Sequence, residues 1–441
     1  MKHSTYFKEF VRYAALNVLG MLGLSCYILA DTFFIANSLG TSGLVGLNLA
    51  IPVYSFIHGT GMMLGMGGAT QYSILKGQKK DREADSVFTN ILSAALFVAA
   101  VFTLTGGLAS KAITDMLGAD AQVFQMTNTY LKVLLLFAPA FLLNDVLICF
   151  VRNDGNPRLA MLGMLLGSLS NIILDYVFLF PLKMGMFGAV FATSLAPVIS
   201  MVVLSRHWRK RRNGFHVVRT KPDIKQIGAG LSLGFPSLVT EVSSGIVILV
   251  FNRIIFGLQG NVGVGAYGVI ANLSLVIVSI YTGIAQGIQP LISRAHGSGD
   301  RMVSRDVLRY AVITSACISC AVYVLFFRFA DPIVQIFNSE KNLELQRIAT
   351  EGMRYYFTVV FFVGFNIIIS VFFTSTERAF AAHVISVMRG LIIIIPMAAA
   401  LSKLAGIIGV WMAFPVTEFL VASVAFLIYL RLRNRDTTNM G

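Results

Sequence analysis

The chain has 441 residues, of which 56% are hydrophobic and only 13% are Asp, Glu, Lys or Arg, roughly half the charged share of an ordinary soluble protein. That composition leaves too little polar side chain to cover a water-soluble globule, and excludes one. The formal charge of +14 would suggest nucleic acid in a soluble domain; in so apolar a chain the question becomes where the basic residues lie.

Lys2, Lys8 and Arg12 lead into an apolar stretch that runs to about Ala36. This exceeds the roughly 7–15 residues of a signal-peptide core, so it reads as a retained first membrane helix. Runs of some 20 mostly apolar residues recur at 10–36, 44–75, 86–108, 123–150, 158–181, 186–206, 228–257, 263–293, 307–328, 346–375, 379–401 and 406–430. These twelve, numbered helices 1 to 12, are too long and continuously apolar for barrel strands, and a helix satisfies its own backbone in hydrocarbon. The sequence therefore predicts an all-α polytopic membrane protein.

With the amino terminus inside, 25 of the 35 Lys and Arg fall in inner segments, 6 in outer loops and 4 within spans. Basic residues gather on the cytoplasmic side, so both termini are expected there. The stretch from Arg206 to Lys225 lies between helices 6 and 7, where anionic lipid headgroups, not nucleic acid, are the expected neighbours. It also divides the chain into an amino-terminal lobe (1–208), a basic linker (209–227) and a carboxyl-terminal lobe (228–441).

One nearly constant offset brings glycines of the two halves into register: Gly40 and Gly43 fall on Gly260 and Gly263, Gly67 on Gly287, Gly77 on Gly297, and Gly185 and Gly188 on Gly406 and Gly409. Asn144 meets Asn366 in the same way. Six helices per half is an even number, so both halves enter the membrane in one orientation. They are then related by a pseudo-two-fold axis along the membrane normal, with a substrate path between the lobes.

Charge inside the membrane is costly and marks function by default. Asp31 lies about five residues before the outer end of helix 1, Asp175 about six before Pro181 at the end of helix 5, and Thr193 about seven into helix 6. At about 1.5 Å per residue all three sit roughly 8–12 Å below the outer surface, and Asn171 shares the Asp175 helix face one turn deeper. Such an oxygen-rich set suits a hard cation or a proton. Asp145 reads as a local interfacial pair with Arg152, and Glu241, near the middle of helix 7, as the acid of a central cavity. Arg389 and Glu418 are each about twelve residues from the loop joining helices 11 and 12. Equal depth on antiparallel neighbours suits an ion pair, structural or functional.

Other patterns have plainer readings. Cys26, Cys149, Cys317 and Cys320 all lie in apolar runs, which offers no disulfide framework. Gly263, Gly265 and Gly268 match a dinucleotide fingerprint, but no strand precedes them and no acid follows at the right distance. Gly61, Gly65 and Gly68 suit close helix packing. Only His58 and His383 among the histidines lie in spans, and neither a zinc motif nor a nucleophile elbow occurs. No catalytic residues, metal ligands or cofactor are expected, and the protein does not read as an enzyme.

The stretches Arg152-Asn-Asp-Gly-Asn-Pro157, Asn171-Ile-Ile-Leu-Asp175 and Gly185-Met-Phe-Gly188 running on to Thr193 resemble the multidrug and toxic compound extrusion (MATE) family of cation-coupled exporters. Asp31-Thr32 followed by Leu39-Gly40 resembles its helix 1, while Pro236-Ser237 and Glu241-Val-Ser-Ser-Gly245 are similar to helix 7 of the bacterial MepA-type branch. The resemblance implies a prokaryotic inner-membrane exporter, monomeric, that moves bulky organic cations by alternating access against proton or sodium entry. It assigns Asp31, Asn171, Asp175 and Thr193 to the coupling-cation site and Glu241 to substrate in the other lobe. This chain departs from relatives in having no proline in helix 1 and Asn366 where others carry a second acid in helix 10. A flippase for lipid-linked sugars, a membrane-embedded enzyme and a receptor are the alternatives.

Overall fold

The computed structural model describes residues 2–338 and 341–438; the extreme termini, on which the sidedness expectation falls, lie outside the described residues. Among the described residues the fold is all-α, with twelve membrane helices in two lobes of six. Helices 1 and 2 form the run Lys2–Gly77, broken at Gly40 (φ 64°, ψ −156°), and helices 7 and 8 the run Ile224–Gly297, broken at Gly260 (φ 59°, ψ −153°). The third such break, at Gly406 (φ 57°, ψ −134°), separates helix 11 from helix 12 within Ile394–Thr438. A Cβ would forbid this backbone conformation, so glycine alone lets two spans meet with no loop between them.

The remaining spans are Asp81–Met116 (helix 3), Phe124–Leu136 continued by Ala138–Asn153 (helix 4), Pro157–Leu179 (helix 5) and Gly185–Leu204 (helix 6). In the second lobe they are Arg301–Arg328 (helix 9), Leu343–Tyr356 continued by Val360–Ser375 (helix 10) and, from Ala379, helix 11. Helix 4 departs from the single straight span expected: its halves bend by 50° at Phe137. Pro139 has no N–H to give to the preceding turn, so the ladder breaks there.

Each helix sorts its faces between protein and lipid. Helix 3 turns Ala84, Phe88, Ile91, Ala95 and Ala99 inward and leaves Phe97, Val101, Leu104 and Leu108 exposed. Both sets follow the three-to-four residue spacing of one helix face. Tyr72, Phe88, Leu134 and Phe150 lie in the amino-lobe core, and Phe251, Tyr281, Phe357 and Trp411 in the carboxyl-lobe core. Phe10 and Ala14, at the start of helix 1, cross over and join the carboxyl-lobe cluster.

The repeat is visible in the backbone and in the contact between lobes. Positive φ angles recur in register at Gly40 and Gly260, Lys79 and Gly299, Gly155 and Glu377, and Gly185 and Gly406. Gly67 packs against the backbone of Gly230 and Gly234, while Gly287 packs against Ala14. The repeat offset that carries Gly67 to Gly287 also carries Ala14 to Gly234. These are one contact seen from both sides, as a two-fold interface requires. Gly77 packs on Gly297, its own repeat partner, which places the axis between them. A Cβ on Gly67, Gly77 or Gly297 would strike the facing backbone, so the lobes can close here only because these positions carry no side chain.

Candidate functional site

The four polar residues read from matched depth do converge. Asp31 (7% exposed), Asn171, Asp175 (both 0%) and Thr193 (4%) come from helices 1, 5 and 6 into one buried cluster. The Asp31 and Asp175 carboxyls are within hydrogen-bonding reach of each other, which they can use only by sharing a proton or a cation. Oriented to match donors with acceptors, the Asn171 amide donates to Asp175 Oδ2 at 3.0 Å and accepts from the Thr193 N–H at 3.2 Å. Asp31 Oδ1 and Asp175 Oδ1 have no hydrogen-bond partner among the described residues. Buried acceptors left over in this way are what an incoming cation would use.

Tyr130, from helix 4, completes the cluster: it is 3% exposed and lies beside Thr193 and both carboxyls. The sequence reading missed it. A signal was present, since Tyr130 enters helix 4 seven residues from its predicted outer end, as Thr193 enters helix 6.

A second polar group lines a cavity of about 90 Å³ that reaches from the amino lobe to helices 7 and 8. His58 Nδ1 makes an ion-pair contact with Asp145 Oδ2 at 2.9 Å, so Asp145 is not the partner of Arg152 that its sequence position suggested. Seven residues place the two on one side of helix 4, but two turns apart, and His58 of helix 2 is closer. Glu241, half-buried on helix 7, faces the amino lobe and packs on Gly59, next to His58. Tyr54 stacks on His58 (5.9 Å between ring centroids, 9°), and Tyr54 Oη and Tyr27 Oη hydrogen-bond at 2.7 Å. Tyr27 precedes Asp31 by one helical turn and Tyr54 precedes His58 by one, so the hydroxyl pair lies between the two polar groups.

Arg152 serves the contact between lobes. It is fully buried and donates from Nη1 to Asn17 Oδ1 at 3.0 Å and Gln286 Oε1 at 2.7 Å. Its neighbour Asn153 donates to Gln289 (2.8 Å), and Gln289 in turn to Thr70 (2.8 Å). In the carboxyl lobe Arg389 pairs with the fully buried Glu418, whose second oxygen accepts from Asn366 Nδ2 at 2.6 Å. Both Glu418 oxygens are thereby engaged. Among the described residues no three His, Cys, Asp or Glu gather as a metal site would require.

The MatE family model matches residues 18–177 and again residues 236–400, one match in each lobe. The multidrug export protein MepA of Staphylococcus saprophyticus is 25% identical, aligned over 99% of this chain and 96% of its own length. MepA of Staphylococcus aureus is 24% identical over the same shares. Among solved structures, an outward-facing multidrug resistance MATE family transporter superposes with a TM-score of 0.90 at 23% identity, covering 98% of this chain and 96% of the other. A MOP superfamily transporter from Pyrococcus furiosus gives 0.88 at 24% identity, covering 97% and 95%. A family match in each half, on a two-lobed helical bundle built from an internal repeat, leads to one conclusion: this chain is a member of the MatE family.

Proposed function

We propose that the protein is a secondary active multidrug exporter that carries bulky organic cations outward, by alternating access, in exchange for a proton or a sodium ion. The observation that carries this reading is the Asp31–Asp175 pair: two buried carboxyls in mutual reach, each keeping an oxygen without a partner. Such a pair holds one positive charge well and two negative charges badly. The names of the relatives, multidrug export proteins, point to the same class of cargo. Glu241, with the aromatic and Met walls of the cavity, is the counter-charge for the cationic substrate, since flexible apolar walls accept many shapes.

On this reading residues 1–208 and 228–441 are the moving lobes and 209–227 their linker. The basic face, with both termini, is cytoplasmic in a prokaryotic inner membrane, and the exporter works as a monomer without a cofactor. The contacts of Gly77 with Gly297 and of Arg152 with Gln286 close the basic face and part when substrate enters from it. A flippase for lipid-linked sugars calls for a wide cationic cavity, whereas in the lining of this one Asp145 and Glu241 offset His58 and Arg152. Purified protein in vesicles, with sodium and pH gradients imposed separately, tests the reading. One gradient is expected to drive ethidium export, and failure of both refutes the proposal.

A further inference from the structure

The repeat sets an open cavity in one lobe against an occupied place in the other. Asn144, Gly167, Ala196 and Pro197 of the amino lobe all line the cavity of about 90 Å³. The register that pairs Asn144 with Asn366 and Gly155 with Glu377 carries Gly167 to Arg389. The register of Gly185 with Gly406 carries Ala196 and Pro197 to Thr417 and Glu418. Small side chains border free space in the amino lobe. In the carboxyl lobe the same place holds a guanidinium, paired with Glu418, and an amide, Asn366 Nδ2, that donates to Glu418 Oε2 at 2.6 Å.

Three features make this place more than packing. Asn366 Oδ1 and Thr417 Oγ1, on fully buried residues, have no hydrogen-bond partner among the described residues, so acceptors remain around the acid. Ile393 N–H donates at 3.0 Å to the Met388 carbonyl, five residues back, which puts Arg389 in a widened helical turn of the kind that recurs at functional sites. Gly390, the next residue, packs against Ser243 of helix 7, two residues from Glu241.

A buried ion pair contributes little over apolar side chains of the same volume, so stability alone does not account for this one. Its chemistry is that of recognition: the planar N–H fork of a guanidinium matches a carboxylate in geometry as well as charge. The Arg389 side chain is 14% exposed and that of Glu418 0%. Arg389 therefore spans the distance from the surface to the acid, and truncating it opens a passage to Glu418.

We propose that Glu418, Asn366 and Thr417 form a binding socket for a guanidinium-type organic cation, and that Arg389 fills it as a tethered occupant. The carboxyl lobe thus carries its cation covalently, at the place where the amino lobe keeps its cavity open. This holds whatever cargo the amino-lobe cavity carries, because the measurement below reads stability and not transport.

Arg389→Ala removes the occupant and keeps the socket. The melting temperature of the full-length variant in detergent is read against methylguanidinium, with sodium at equal ionic strength as the control. The variant is expected to melt below the native protein, since an unpaired carboxylate is left buried. Millimolar methylguanidinium should restore a few degrees and then saturate, as a ligand held by the folded state does. The native protein, its socket already filled, should show no such rise. Nor should the double variant Arg389→Ala with Glu418→Gln, which has lost the carboxylate. If Arg389→Ala can be purified only with methylguanidinium present, that rescue is the expected result in another form. No rescue of melting temperature or yield, an equal rise with sodium, or an equal rise in the native protein or the double variant overturns the proposal.

Discussion

Tyr27 and Tyr54 share one hydrogen bond at 2.7 Å between helices 1 and 2, and both rings line the cavity that also reaches Glu241 and Thr193. Removing the hydrogen bond in Tyr54→Phe keeps the ring that stacks on His58 but loses the hydroxyl. The expected cost is about 1 kcal/mol of stability, read as a lower melting temperature. If the hydroxyl pair also fixes helix 1 relative to helix 2 during exchange, dye binding is retained while gradient-driven export falls. Loss of both in proportion would make the contact purely structural.

Asp31 and Asp175 are expected to behave as one unit, because interacting carboxyls titrate as a pair. Asp31→Asn or Asp175→Asn alone should abolish gradient-driven export, and the double variant should add little. Additive partial losses in vesicle transport would instead assign them to separate sites.

Glu241→Gln should weaken binding of cationic dyes at least several-fold and leave neutral compounds unaffected, because the change removes charge but preserves shape. Dye titration on protein with an unaltered melting temperature checks this. Unchanged cation affinity there rules Glu241 out as the substrate's counter-charge.

Arg152→Ala removes two charge-assisted hydrogen bonds, to Asn17 and Gln286, and should destabilise the contact between lobes by about 2 kcal/mol. Hydrogen exchange at the ends of helices 2 and 8 should then quicken, since Gly77 and Gly297 meet there. Arg152→Lys, which keeps the charge and enough N–H donors for both acceptors on a differently shaped side chain, should recover part of the protection.

Thr220 is exposed on the basic segment between helices 6 and 7. As the sole cysteine in a variant lacking the native four, Thr220→Cys should resist an impermeant thiol reagent in intact cells. Labelling without permeabilisation would invert the orientation.

Much of the architecture follows from the sequence alone. A helix in hydrocarbon satisfies its own backbone, so runs of apolar residues locate the spans, and the spacing of Gly40, Gly67 and Gly77 from their partners reveals the repeat. Depth is legible too, because the rise of a helix per residue is fixed, and it brought Asp31, Asp175 and Thr193 to one level with Asn171 one turn deeper. Rotation about each helix axis is not legible in the same way. Lipid tails and protein interiors are equally apolar, so no polar stripe marks which face meets a neighbour. Only the tertiary packing could therefore give Asp145 to His58 instead of Arg152, bring Tyr130 to Thr193 and join Tyr27 to Tyr54.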